Sequence, residues 1–230
     1  EVDKKNRSYH SGSSNSIIAT KTGMLISGCS KTIIHSSVFK IDTFAFQGAS
    51  RLSEIFIPHH VTKIEDGAFA DCSNLVSISV DKKNALYNDG DGSNCIIEKQ
   101  TGTLVCGGCA TKIPSNVQTI GAMAFRGMET PATLIIPENV KTIKRSAFVG
   151  CSGLKHLFVP GHTTIGTQAF AGCKQLESVI FGEGMKKIPP VAFAGCTNLK
   201  NVHIPETVKE IAGDAFAGCF GDDASFSGKQ

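Results

Sequence analysis

The stretch that decides the fold runs Ile57-Pro-His-His-Val61-Thr-Lys-Ile64-Glu-Asp-Gly-Ala68-Phe69-Ala-Asp-Cys72-Ser-Asn-Leu75-Val-Ser-Ile78-Ser-Val80. Its central phrase is an isoleucine followed, five residues on, by the phenylalanine of an Ala-Phe pair. That phrase recurs with phenylalanine at Phe46, Phe69, Phe125, Phe148, Phe170, Phe193 and Phe216, in steps of 23, 56, 23, 22, 23 and 23 residues. A fixed period in the twenties marks a solenoid, in which each unit is too small to bury its own apolar face and gains a core by stacking on its neighbours.

The columns are strict. Ile41, Ile64, Ile120, Ile143, Ile165, Ile188 and Ile211 stand five residues before the phenylalanines. Two residues after them stand Gly48, Gly127, Gly150, Gly172, Gly195 and Gly218, with Asp71 the exception. Eight residues before them come Val38, Val61, Val117, Val140 and Val208, with Met185 in one unit and His162 in the 22-residue unit. The phrase after each phenylalanine, as in Leu52, Ile55, Ile57, Pro58 and again Leu199, Val202, Ile204, Pro205, alternates over its end and reads as a short strand stopped by proline. The Ala-Phe segment reads as a single helical or 3-10 turn, with the glycine after it turning the chain back. One unit is thus strand, turn, extended Val-x-x-Ile segment, helical turn. Parallel strands about 4.8 Å apart would line one side of a single elongated α/β repeat domain.

These residues resemble the BspA-like, or Treponema-type, leucine-rich repeat, with residues 57–80 and 204–219 matching nearly column for column and the likeness extending over about 36–219. The resemblance implies a right-handed leucine-rich-repeat superhelix and a cell-surface or secreted protein. It further implies work in adhesion or protein binding, and it brings no catalytic residue and no cofactor.

The 56-residue step is one unit plus an insertion, and the insertion has a partner near the N-terminus. Residues 15–57 and 94–136 align at an offset of 79, placing Ile17, Ile18, Gly23, Leu25 and Gly28 on Ile96, Ile97, Gly102, Leu104 and Gly107. Each copy reads as a β-hairpin, so insertions are expected near 14–35 and 81–113 within one domain spanning 14–219. Residues 1–13 read as a polar linker or ragged start, and 220–230 as a tail or cap, because Asp222, Ser225 and Ser227 occupy the next apolar positions. No run approaches the 18 apolar residues of a membrane span.

The repeat also sorts the nine cysteines. Cys72, Cys151, Cys173, Cys196 and Cys219 stand three residues after the phenylalanines, where Ala49 and Met128 replace them in the other two units, and read as small buried hydrophobes. Cys106-Gly-Gly-Cys109 has the spacing of a redox or zinc motif, but it follows a hairpin strand, its aligned copy is Ser27-Gly-Cys-Ser30, and no second C-x-x-C exists. Cys95 and Cys106 sit near cross-strand positions and are candidates for a disulfide; two unpaired thiols are the alternative.

Two columns of the strand phrase face outward. One holds Glu54, Ser77, Thr133, His156, Ser178 and Asn201; the other holds Phe56, Ser79, Ile135, Phe158, Ile180 and His203. Phe56, Ile135, Phe158 and Ile180 are expected to form an exposed apolar stripe edged by His156 and His203, a surface suited to a protein partner or a second copy of the chain. Asp89 and Asp91 offer calcium-like oxygens, yet Gln100 stands where a calcium loop needs glutamate, so a turn is the simpler reading. The seven histidines are scattered, no metal site is expected, and a net charge of +3 leaves no nucleic-acid footprint. The sequence therefore points to a non-enzymatic module that binds host, neighbouring-cell or matrix proteins, or glycans, through its strand face and hairpins. The alternatives are a structural spacer in a larger surface protein and, third, a thiol enzyme built on Cys106 and Cys109.

Overall fold

The computed structural model describes residues 2–12, 16–109 and 111–219. Two ladders of short parallel strands run the length of a solenoid. On one side Glu54–Ile57 pairs with Ser77–Val80, and Thr133–Ile135, His156–Val159, Ser178–Phe181 and Asn201–His203 form a four-stranded sheet. Alternation sets their faces: Ile55 and Ile57 point into the core while Glu54 and Phe56 face out. On the other side the Val-x-x-Ile segments form two-residue strands such as Lys63–Ile64 and Thr142–Ile143, with Ile41, Ile120, Ile143 and Ile188 fully buried. All these apolar columns merge into one continuous core.

The Ala-Phe segments are turns, and no helix occurs among the described residues. The expected helical turn fails because six of the seven units carry left-handed residues on both sides of the phenylalanine. Phe44, Met123, Ser146, Gln168 and Val191 adopt φ between 51° and 60°, and the glycine column follows at 67–74°. An α-helix requires unbroken negative φ. Here the flipped peptides aim their N–H groups at the next unit instead: Phe148 donates to the Ala169 carbonyl at 2.7 Å, and Gly150 to that of Ala171 at 2.9 Å. Asp71, the exception in the glycine column, takes the same conformation at φ 60°, which aspartate tolerates better than most side chains.

Within this turn face the phenylalanine rings stack at 4.8–5.3 Å, nearly parallel, as Phe46 on Phe69 and then as a run from Phe125 to Phe216. Each run begins on a hairpin. Met24–Ser27 joins Lys40–Ile41 and Thr103–Gly107 joins Thr119–Ile120 in parallel, so the hairpins act as the first rung of each block. The last hairpin residue must be glycine, because a Cβ on Gly107 would lie 2.0 Å from the Phe125 ring and one on Gly28 2.3 Å from that of Phe46.

Two sequence expectations change. His162 is exposed, and Thr163 fills the valine column of the 22-residue unit; it is fully buried because its Oγ1 donates to the Val140 carbonyl at 2.8 Å. Residues 1–13 were read as a linker, yet Tyr9–Ser11 is a strand paired antiparallel with Ile17–Ala19, which supplies a free edge for it. The stretch 220–230 lies outside the described residues.

Candidate binding face

The outward columns of the four-stranded sheet are in register. Thr133, His156, Ser178 and Asn201 form one row; Ile135, Phe158, Ile180 and His203 form the other. Ile135 is 66% exposed and Ile180 47%, with Phe158 half-buried between them. Three apolar side chains on adjacent strands therefore form a continuous stripe roughly 10 Å across. His156 and His203 are exposed, and the Nδ1 of His156 lies 2.9 Å from the Ser178 hydroxyl, which holds that ring along the row.

Phe56 does not belong to this stripe. It stands on Glu54–Ile57, whose only partner strand among the described residues is Ser77–Val80, and its neighbour in register is Ser79. The second hairpin separates that pair of strands from the four-stranded sheet. Phe56 instead lines a shallow groove of about 310 Å³ with Ile33, Glu54 and Ser77. Ile33, 23 residues before Phe56 and so in the same outward column, is 69% exposed; it was missed in the sequence because the strand phrase there falls in a loop that follows the first hairpin.

The cysteine column does more than fill space. Each thiol donates to the carbonyl of the previous unit's phenylalanine: Cys72 to Phe46, Cys151 to Phe125, Cys173 to Phe148, Cys196 to Phe170 and Cys219 to Phe193, at 2.8–3.2 Å. Units that follow a hairpin have no such carbonyl below them, and those two carry Ala49 and Met128. Burial pushes the Cys72 thiol up to about 12, and the neighbouring Cys173 thiol, together with burial, does the same for Cys196. Cys173 is raised well above its ordinary value by Cys151 first and burial after.

The Cys106-Gly-Gly-Cys109 motif shows no activation. Cys106 is buried, and burial raises it well above the ordinary thiol value; burial also raises Cys109, whose Sγ donates to the Ser73 carbonyl at 2.9 Å. A nucleophilic cysteine needs the opposite shift. Cys95 and Cys106 are both free thiols. The hairpin register pairs Cys95 with Gly107 and Cys106 with Ile96 across a bulge at residue 105. The two cysteines thus occupy successive pairs, and strand alternation turns them to opposite faces, so the structure does not bring them together as a bridge. Among the described residues no cluster of His, Cys, Asp or Glu has the geometry of a metal site, and Asp89 serves the turn, its Oδ1 accepting from the Gly92 N–H.

Comparison with known proteins agrees with this architecture. The family described as "BspA type Leucine rich repeat region" matches residues 18–99 and 108–221 in six copies. Among solved structures, a leucine-rich cell surface protein from Faecalibacterium prausnitzii is 31% identical with a TM-score of 0.56, covering 80% of this chain and 43% of its own. A leucine-rich repeat protein from Eubacterium ventriosum, 22% identical with a TM-score of 0.62, covers 85% of this chain and 66% of its own. The pneumococcal vaccine antigen PcpA, 18% identical with a TM-score of 0.53, covers 78% of this chain and 62% of its own. The chain spans less than two thirds of each of these three. No curated protein matches the sequence.

Proposed function

The chain belongs to the BspA-type leucine-rich repeat family, and from that premise we propose that it is a non-enzymatic protein-interaction module of a cell-surface or secreted protein. The observation that carries the reading is the stripe of Ile135, Phe158 and Ile180. It sits on the outward face of a sheet whose core is already complete, so the fold does not need these side chains to be apolar. Partner binding would bury them, and the flanking His156 and His203 would add polar contacts. Surface proteins of host or neighbouring cells, or matrix proteins, are the partner class; a glycan or a second copy of the chain would engage the same face. The surface location draws on the printed description of the Faecalibacterium protein. The raised thiols support a reading without catalysis.

The test uses immobilised protein exposed to extracellular-matrix and serum proteins, beside the double variant Phe158→Ser, Ile180→Ser. A partner retained by the parent should bind the variant at least about tenfold more weakly. Equal retention by both proteins removes the strand face from the reading. A second reading, a spacer within a longer surface protein, is favoured by the 43% coverage of the Faecalibacterium chain. Under it neither protein retains a partner.

A further inference from the structure

The start of the described chain duplicates the residues that lead into the second hairpin. Val2-Asp3-Lys4-Lys5-Asn6 and Tyr9 stand at an offset of 78 from Val80-Asp81-Lys82-Lys83-Asn84 and Tyr87. Their hydrogen bonds repeat as well. Lys5 N–H donates to Asp3 Oδ1 at 2.8 Å, and Lys83 N–H to Asp81 Oδ1 at 2.9 Å. Asn6 Oδ1 accepts from the Ser8 and Tyr9 amides as Asn84 Oδ1 accepts from those of Leu86 and Tyr87. Tyr9 pairs with Ala19 and Tyr87 with Glu98, which are equivalent positions of the two hairpins.

Among the described residues only the second copy is occupied. There Asn84 is buried, and its Nδ2 donates to the carbonyls of Pro58 at 2.8 Å and Val61 at 3.0 Å. Tyr87 is buried, its hydroxyl accepting the Ile64 N–H at 3.1 Å. Ile96 and Cys106 are buried too. These side chains clamp the hairpin onto the turn formed by residues 58–79. In the first copy Asn6 is exposed, Tyr9 is 43% exposed, Ile17, the counterpart of Ile96, is 37% exposed, and Ser27, the counterpart of Cys106, is exposed.

We propose that the outer face of the N-terminal hairpin is a docking surface for one further repeat turn of the 58–79 kind, seated as that turn is seated on the second hairpin. Asn6 Nδ2 takes the two carbonyls that Asn84 takes, and the Tyr9 hydroxyl takes the isoleucine N–H. Such a turn buries Tyr9 and Ile17 together. The chain's own far end is a poorer occupant. Glu210–Ile211 offers an exposed isoleucine, but the sequence after Cys219 lacks the apolar alternation that Ser77–Val80 brings to the occupied seat. Beside Ser27 for Cys106, the two seats differ where the hairpin backbone approaches the turn. Gly108 packs on the Leu75 carbonyl, where a Cβ would lie 2.4 Å away, and the first hairpin has Cys29 there. Cys29→Gly therefore tightens the seat.

A copy of residues 58–79 fused directly ahead of Val2 of the full chain tests this. Tyr9 nitration should fall at least about tenfold from the unfused chain, toward the rate of Tyr87, which serves as the internal buried reference. Hydrogen exchange in the grafted turn should slow to that of residues 58–79. Asn6→Ala with Tyr9→Phe in the fusion should restore fast exchange in the graft alone, and Cys29→Gly should slow it further. The proposal is overturned if Tyr9 of the fusion keeps the reactivity of the unfused chain, or if the graft exchanges as an unfolded segment. An unfused chain that sediments as a dimer with Tyr9 already protected assigns the face to a second copy and also overturns it. None of these readouts depends on the Ile135–Phe158–Ile180 stripe.

Discussion

Raising the pH above 9 should unfold this protein through its buried thiols. The ordinary thiol value is 9.0; Cys72, Cys95 and Cys196 are pushed up to about 12, and Cys106 and Cys173 are also raised well above it. A group whose folded value is raised contributes stability that is fully present below its unfolded value and is lost as pH climbs toward the folded one. Between pH 9 and 12 the unfolded chain therefore sheds protons that the native chain retains. At pH 10 each retained proton costs about 1.4 kcal/mol relative to neutral pH. Five such thiols cost about 7 kcal/mol, comparable to the whole stability of a typical domain, about 5–15 kcal/mol.

The assay is urea unfolding followed by circular dichroism at pH 7, 8, 9 and 10, with a phosphine reductant and fixed salt. The midpoint should hold level to pH 8 and fall steeply above 9. Cys173→Ala with Cys196→Ala should start from a lower midpoint at pH 7, because two S–H···O contacts to Phe148 and Phe170 are lost. It should then fall more gently, recovering about 3 kcal/mol of the alkaline loss. A midpoint unchanged from pH 8 to 10, or an equally steep fall in the double variant, refutes the reasoning.

Five further outcomes follow from local geometry. Gly107→Ala drives a Cβ into the Phe125 ring and should cost about 1–3 kcal/mol by overpacking; Gly150→Ala meets no atom within 4 Å but keeps φ +70° and should cost about 1 kcal/mol by strain alone, both read from unfolding midpoints. Val191, a β-branched residue at φ 51°, should yield about 1 kcal/mol of added stability on change to Asn, which accepts that conformation. Tyr87→Phe removes the acceptor of the Ile64 N–H, costing about 1 kcal/mol and speeding hydrogen exchange at Ile64 over its neighbours. Phe158→Ser with Ile180→Ser should move the midpoint by little, within about 0.5 kcal/mol per site, because both side chains face outward.

The columns that face inward were legible in the sequence because burial is the same constraint in every unit. Ile, Phe, Ala and Gly recur at fixed distances, and the structure puts them where the period says. What the period could not show was backbone sign. A left-handed residue two positions before six of the seven phenylalanines leaves no common residue type behind, since Phe44, Gly67, Met123, Ser146, Gln168 and Val191 all adopt it, so the turn read as helical. Nor could the column show that Phe56 and Ile135 fall on separate sheets, because the alignment counts units and ignores the hairpin between them. The hydrogen-bonding role of Tyr87 had a sequence signal, the Val-Asp-Lys-Lys-Asn repeat, but at an offset of 78 instead of 79, which a single gapless alignment passes over.

The exceptions in the cysteine column show how the two blocks are organised. A cysteine appears wherever a phenylalanine carbonyl from the previous unit lies within reach, and fails at Ala49 and Met128, where a hairpin lies beneath instead. The same two units carry the glycine-to-ring contacts of Gly28 and Gly107. Hairpins therefore do not decorate an uninterrupted solenoid; each founds a phenylalanine stack, and the second also ends the one before it. That gives a hairpin two working sides, an inner side that starts a phenylalanine run and an outer side that receives a finished turn. The second hairpin uses both sides. The first uses its inner side on Phe46, and its outer side carries the same asparagine and tyrosine with the turn they would hold absent from the described residues. The repeat face and the hairpin edge are thus separate surfaces with separate chemistry, one apolar and lined by strand residues, the other a set of polar groups spaced for the backbone of a repeat.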